Sequence, residues 1–352
     1  MKYPALLPFD EVLPRLARFD AIIDVRTPAE YALDHLPGAI NCPVLDDAER
    51  VRIGTMYKQV NAFEAKKVGA ALVAKNIGRH IETHWLDRPR EWQALIYCWR
   101  GGNRSGAMAH VLAKIGWPVT QLDGGYKAFR NHVNLALAQA PALSFKVLCG
   151  TTGSGKSRLL ETLQACGAQV LDLERLAAHR GSVLGDLPSQ AQPAQKAFET
   201  AIWQHLRQFD PALPVYIESE SKKVGGLRVP DALMDAMRAS PCVALHLSRA
   251  NRVRLLMEDY VHFTAQPAML NAQLDCLVAL HGREKISRWQ TLANSGQMAQ
   301  LVDELLAEHY DPAYRRSIDR NFLHVNQAQA LELEGIDQPA MLAAARRLLG
   351  LV

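Results

Sequence analysis

The sequence predicts an α/β protein of two units in tandem, each a parallel sheet covered by helices, with a helical C-terminal part. Three observations carry that expectation. Short apolar runs alternate with stretches of helical periodicity, the pattern of strand–helix–strand units. Twice an apolar run ends in a glycine-rich loop that opens a helical stretch, at "LIYCWRGGNRSG" (95–106) and "VLCGTTGSGKS" (147–157). A chain of 352 residues also exceeds what one ordinary core holds.

Taken in order, "AIIDV" (21–25) is short, apolar and β-branched and reads as a buried strand. "AINCPV" (39–44) is a second strand, residues 62–79 carry a helical period, and "ALIYC" (94–98) is a third strand. A helix over 105–115 leads to "VTQLDGG" (119–125), a strand entering a turn. The small residues and proline of "ALAQAPALSFK" (136–146) mark a boundary, giving units 1–138 and 139–352. Beyond it come a strand at "FKVLCG" (145–150), a glycine loop and a helix from Lys156. "VYIES" (215–219) and "CVALHLS" (242–248) are further buried strands. Residues 249–310 are largely helical and run into "DELLAEHYDPAYRRS" (303–317), with no internal repeat.

Composition, 49% hydrophobic and 22% charged without low-complexity tracts, is that of a globular protein. No apolar run reaches the length of a membrane span, and acids and prolines interrupt "MKYPALLPFDEVLPRL", against a signal-peptide pattern. Cysteines at 42, 98, 149, 166, 242 and 276 show neither CxxC nor zinc-ligand spacing. Reduced thiols and a cytoplasmic location are the expectation. A net charge of +4 permits a nucleic-acid partner without demanding one.

Cys98 ends a strand where loop amides and a helix dipole favour the thiolate. Gly101 and Gly102 let the loop of Trp99, Arg100 and Asn103 curl its amides inward around an anion, and Arg104 can close the cradle with a planar fork. The plain alternative is a buried strand-end cysteine. "IIDVRTPAEYALDHLPGAINCPV", with Asp24, Arg26, Glu30, Tyr31, His35, Gly38 and Ala39, resembles the opening motif of a rhodanese domain. With Cys98 and "LDGGYKAF" the resemblance covers about residues 8–135. Arg26 and Glu30 are expected to form a structural ion pair, and His35 to order a turn. Many rhodaneses place the loop arginine five positions after the cysteine; Arg104 is six after, a ring that resembles dual-specificity phosphatases and admits a phosphate-sized anion. Tyr97 stands where those phosphatases carry histidine, and no acid for a leaving group is identifiable. The pocket is therefore read as handling a chalcogen on Cys98, delivered by a phosphorylated donor.

"GTTGSGKS" satisfies G-x4-G-K-S between a strand and a helix, the context a phosphate loop requires. Amides of Gly150, Thr151, Thr152, Gly153, Ser154 and Gly155 can wrap a diphosphate, with Lys156 as point charge and Ser157 as a magnesium ligand. Glu218 or Glu220 in "VYIESESKKVGG" can serve the metal, but no Asp ends that strand, so nucleotide hydrolysis is not established. Asp172 and Glu174 are further candidates, or simply a carboxylate pair at a helix N-terminus. "HRGSVLG" (179–185), with His179, Arg180 and Ser182, binds phosphate or turns the chain. Arg249 and Arg252 share a helical face, with Arg254 nearby, as a lid, a nucleic-acid contact or a solvated face. Lys222, Lys223 and "YRRS" (314–317) add basic points for a phosphodiester backbone.

The order rhodanese-like part, "LCGTTGSGKS", "DLERLAAHRGS", "IESESKKVG" and "HYDPAYRRS" resembles the tRNA 2-selenouridine synthase family across nearly the whole chain. That resemblance implies a transferase acting on tRNA with wobble 2-thiouridine, replacing sulfur by selenium from selenophosphate through an S-geranyl intermediate made from geranyl diphosphate. No tightly bound cofactor is expected, with magnesium at Ser157 the one candidate ion. The competing expectations are a fused cysteine-dependent phosphatase and small-molecule kinase, and a non-catalytic tRNA-binding adaptor.

Overall fold

The computed structural model describes residues 3–182, 184–187 and 190–351, with side chains except at 315, 317 and 319. Val183 of the "HRGSVLG" segment and the side chains of Arg315 and Ser317 in "YRRS" therefore lie outside the described residues. Two compact units divide the chain, Met1–Ala136 and Leu137–Val352.

The strands of the first unit are β1 (Ala5–Leu7), β2 (Ala21–Asp24), β3 (Ala39–Asn41), β4 (Ala94–Tyr97) and β5 (Val119–Leu122). All pair in parallel, in the order β1-β5-β4-β2-β3. Central β4 is buried at every position, which is why it reads as an unbroken apolar run. β3 stops at Asn41 rather than Val44 because Pro43 has no amide to donate to the ladder. Helices α1 (Phe9–Val12), α2 (Pro28–Leu33), α3 (Asp47–Gln59), α4 (Ala62–His84), α5 (Asn103–Ile115) and α6 (Gly125–Leu137) connect them. Capping boxes start α2, from Thr27 and Glu30, and α3, from Asp46 and Glu49. Ile23, Ile96, Met108 and Leu112 form the core together with a run of Trp85, Trp92 and Trp117 at ring separations of 5.8 and 5.3 Å.

The second unit contains β6 (Phe145–Cys149), β7 (Gln169–Leu171), β8 (Val215–Glu218), the hairpin β9 (Lys223–Val224) and β10 (Leu227–Arg228), β11 (Cys242–Leu247) and β12 (Gln329–Leu333). Its parallel sheet runs β12-β11-β6-β8-β7. Around it lie α7 (Lys156–Ala165), α8 (Leu173–Leu176), α9 (Gln195–Leu206), α10 (Asp231–Arg238) and α11 (Arg249–Asp259). A helical part follows: α12 (Val261–Ala265), α13 (Pro267–Asp275), α14 (Val278–His281), α15 (Arg283–Asn294), α16 (Met298–Leu305), a π turn over Leu306–Tyr310, and α17 (Asp311–Asn321). The chain then returns to the sheet edge as β12 and closes with α18 (Gln338–Leu349). Leu148, Leu159, Leu245, Leu331 and Met341 share one core; Phe263, Leu274, Trp289, Leu301 and Leu306 share a second, between helices. Among the described residues, no helix is long and apolar enough to cross a membrane.

Candidate functional site

Two sites are described separately, one in each unit. In the first, β4 carries Cys98 to the carboxyl edge of the sheet, where the chain turns into α5. Cys98 is only 4% exposed, yet its loop lines an open cavity of about 560 Å³ with Arg50, Ile53 and Arg104. Gly101 has a φ of +67°, and a Cβ there would lie 2.5 Å from the Leu122 carbonyl, so the turn requires glycine. Burial pushes the Cys98 thiol up, but hydrogen bonds from the Ser105 hydroxyl (3.2 Å), the Ser105 and Arg100 amides, and the charge of Arg104 outweigh it. The net result is a thiol held below its ordinary range.

Arg104 is anchored from below: its guanidinium donates to Glu30 at 2.7 Å, while Glu30 also closes the α2 cap. The expected Arg26–Glu30 pair is therefore corrected. Arg26 is fully buried on Asp24, at 2.6 Å, with its guanidinium over the Tyr126 ring, and Glu30 belongs to Arg104. Tyr97 is buried and its hydroxyl accepts the Leu36 amide at 3.1 Å; burial, then the Asp24 charge, hold its phenol well above the ordinary range, so it stays protonated. His35 stacks on Tyr31 and donates Nδ1–H to its carbonyl, ordering the turn.

In the second unit β6 sits between β8 and β11, and the loop 150–155 leaves its carboxyl end to start α7. This is the crevice position at which open α/β sheets take ligands. The loop walls a cavity of about 320 Å³ with Asp172, Glu174, His179, Arg180, Tyr260 and Tyr314. Lys156 donates to the Gly150 carbonyl at 2.9 Å and lies 5.7 Å from the Tyr314 ring. Ser157 donates to Glu174 at 3.0 Å, and the Glu174 amide donates to Glu218. Asp172 caps α8 by accepting the Arg175 amide, so it serves the helix. Burial, then neighbouring carboxylates, push Asp172 and Glu218 up, while burial and Glu174 push Glu220 up to about 8. One Glu218 oxygen is buried without a hydrogen-bond partner.

His179 holds the 179–185 turn, accepting the Gly181 amide on Nδ1 and facing Asp186 through Nε2 at 3.4 Å. Arg180 lies over the Tyr260 ring, with Nη1 buried and without a hydrogen-bond partner. The Arg249–Arg252 stripe divides: Arg249 pairs with exposed Asp303, whereas Arg252 is buried. Arg252 grips Asp311 at 2.6 Å and donates to the Thr152 carbonyl at 2.7 Å, so it is no part of a solvated face. Behind the loop lies an apolar chamber of about 50 Å³ between α11 and the helical core; it reaches Ser182, Met257, Met298 and Tyr310. It shares the wall residues Thr152, Leu256 and Tyr260 with the polar cavity, so the two are adjacent.

Residues 143–281 match the family model described as the tRNA 2-selenouridine synthase AAA domain, and residues 9–132 the rhodanese-like domain. A tRNA 2-selenouridine synthase of a Sulfurovum species is 33% identical over 92% of this chain and 98% of that protein. The chain belongs to the tRNA 2-selenouridine synthase family. A family member from Alcanivorax borkumensis is 32% identical over 85% of this chain and 90% of its own, and one from Nitrosomonas europaea 36% over 68% and 63%.

Several site residues of this family member escaped sequence reasoning. Ser105 was within reach, as a hydroxyl in the first turn after the cysteine loop. Glu30 as the partner of Arg104, Asp311 as the partner of Arg252, and the walls of the apolar chamber come from distant segments and left no local signal.

Proposed function

We propose that the protein is a tRNA-modifying transferase that replaces sulfur by selenium in wobble 2-thiouridine, using geranyl diphosphate and selenophosphate. The observation that carries this reading is the adjacent pair of cavities in the second unit: a phosphate loop beside an apolar chamber suits an amphipathic diphosphate better than a nucleotide. At 50 Å³ the chamber is narrow, and a ten-carbon chain enters as the flexible Met257 and Met298 side chains yield.

In the first step the thiocarbonyl sulfur attacks the allylic carbon of the donor, and the carbon–oxygen bond breaks. The loop amides, Lys156 and Arg180 receive the charge developing on the departing diphosphate. The Ser157 hydroxyl and the Glu174 carboxylate, hydrogen-bonded to each other on the cavity wall, are hard-oxygen donors of the kind magnesium takes, and the crowding of Glu218 and Glu220 near Glu174 fits a cation. Bound there, the ion would supply charge neutralisation for the diphosphate.

In the second step the S-geranyl group is the leaving group. Selenium in selenophosphate is already at the selenide level, so loading it onto Cys98 as a perselenide would need an oxidant. Attack by the Cys98 thiolate at phosphorus needs none. The sulfur–phosphorus bond forms, the selenium–phosphorus bond breaks, and hydroselenide is released in the pocket. It adds to carbon 2, geranylthiolate leaves, and water frees phosphate from Cys98. The loop amides and Arg104 hold the phosphoryl group through this exchange.

The test is mass spectrometry of tRNA nucleosides after incubation with both donors. Cys98→Ala is expected to accumulate the S-geranyl nucleoside without selenation, and Lys156→Ala to lose geranyl transfer. Full selenation by Cys98→Ala, or undiminished geranylation by Lys156→Ala, overturns the assignment.

A further inference from the structure

Outside both glycine loops, three ligand-type side chains converge in the first unit. Cys42 immediately follows β3, and His80 and His84 lie one turn apart near the end of α4. One donor atom from each lies within 4.8 Å of the others. Sequence spacing hid this group, because the cysteine is separated from the histidines by all of α3 and most of α4.

The surrounding bonds hold the three in place. Asn76 donates to the Val44 carbonyl at 3.1 Å and His80 donates Nε2–H to the Pro43 carbonyl at 3.0 Å, fastening α4 along the segment that carries Cys42. The bond to Pro43 fixes the His80 tautomer, leaving Nδ1 with its lone pair, and a backbone carbonyl behind an imidazole is the usual support of a metal-bound histidine. Cys42 is buried, 2% exposed. His84 is exposed, its ring centroid 5.9 Å from that of His80, so one side of the group opens to solvent.

We propose that Cys42, His80 and His84 form a site for a borderline-soft divalent ion of the zinc type, with water in the fourth position. Tetrahedral zinc places nitrogen and sulfur donors about 3.5 Å apart. The present spread closes through rotation of the exposed His84 side chain. Binding releases the Cys42 proton as the sulfur–metal bond forms. The ion ties the end of α4 to the exit of β3, a cross-link in the rhodanese-like unit that is separate from Cys98.

Cobalt(II) added to the chelator-treated, reduced full-length protein tests this. A thiolate-to-cobalt charge-transfer band saturating at one equivalent is expected, retained in Cys98→Ser and lost in Cys42→Ser. His84→Ala, at an exposed position that leaves the fold intact, is expected to weaken cobalt binding by at least about tenfold. Zinc is expected to raise the melting temperature of the wild-type protein and not of His84→Ala. Absence of the band, its survival in Cys42→Ser, its loss in Cys98→Ser, or unchanged affinity in His84→Ala overturns the site. If Cys42→Ser does not fold, the His84→Ala titration decides.

Discussion

Burying a thiol normally suppresses its anion, and at Cys98 the opposing work falls on very few donors. The Ser105 hydroxyl is the largest of these that a point substitution can remove without touching the loop backbone. Ser105→Ala is expected to slow iodoacetamide alkylation of Cys98 at neutral pH by roughly tenfold, from the loss of one hydrogen bond to a charged group, and to move the pH midpoint upward. Glu220 shows the opposite balance. With its carboxyl pushed up to about 8 by burial and Glu174, the folded state holds a proton that the unfolded state has released. Its contribution to stability is complete below the ordinary glutamate range and is lost as pH rises through about 8. Melting temperature without magnesium is expected to fall between pH 5 and 8, less steeply in Glu220→Gln. Magnesium should restore more stability at the alkaline end; a wild-type slope unchanged by the substitution would remove Glu220 as its source.

Among the elements, the glycine loop at 150–155 is held by a clamp as well as by its own turns. Arg252 of α11 joins the Thr152 carbonyl to Asp311 at the start of α17, segments separated by 100 and 59 residues. Removing one member of such a buried pair strands the other; Arg252→Ala is expected to cost about 3 kcal/mol in chemical denaturation and to weaken diphosphate binding as the loop loosens. The loop and its clamp differ in how far their residues lie apart along the chain. The loop itself was legible, because strand, glycines, lysine and helix are contiguous and each reflects a local backbone requirement. Its clamp was not, since arginines spaced along a helix look alike whether they meet water or a partner brought in from afar. The same reasoning applies to whole elements. Central strand β4 announced itself as an unbroken apolar run, and β6 and β8 as apolar runs with one charged residue each, Lys146 and Glu218. Edge strands β1 and β12 did not, being short or buried on one side only, and α3 buries no residue fully, so it shows no apolar stripe.

Across the whole molecule, each unit encloses its own core and its own site, joined through the irregular stretch 138–144. Each therefore has the burial needed to fold independently. A fragment beginning in that stretch and running to the C-terminus is expected to melt cooperatively and to retain geranyl transfer while making no selenonucleoside. Loss of both activities in a folded fragment would mean that prenyl transfer also draws on the first unit. Fold class and the division into a cysteine-bearing and a phosphate-loop unit followed from patterns local to each segment; the chamber beside the phosphate loop depends on α11 meeting α16 and the π turn, which no single window of sequence describes.

Lys156 already has a resting place, its ammonium seated on the Gly150 carbonyl of its own loop. A guest that engages the ammonium must draw it out of that internal berth, and the more oxygens it offers the more it gains by doing so. If the loop takes a diphosphate, pyrophosphate is expected to bind more tightly than orthophosphate, a difference that a competition titration reads directly.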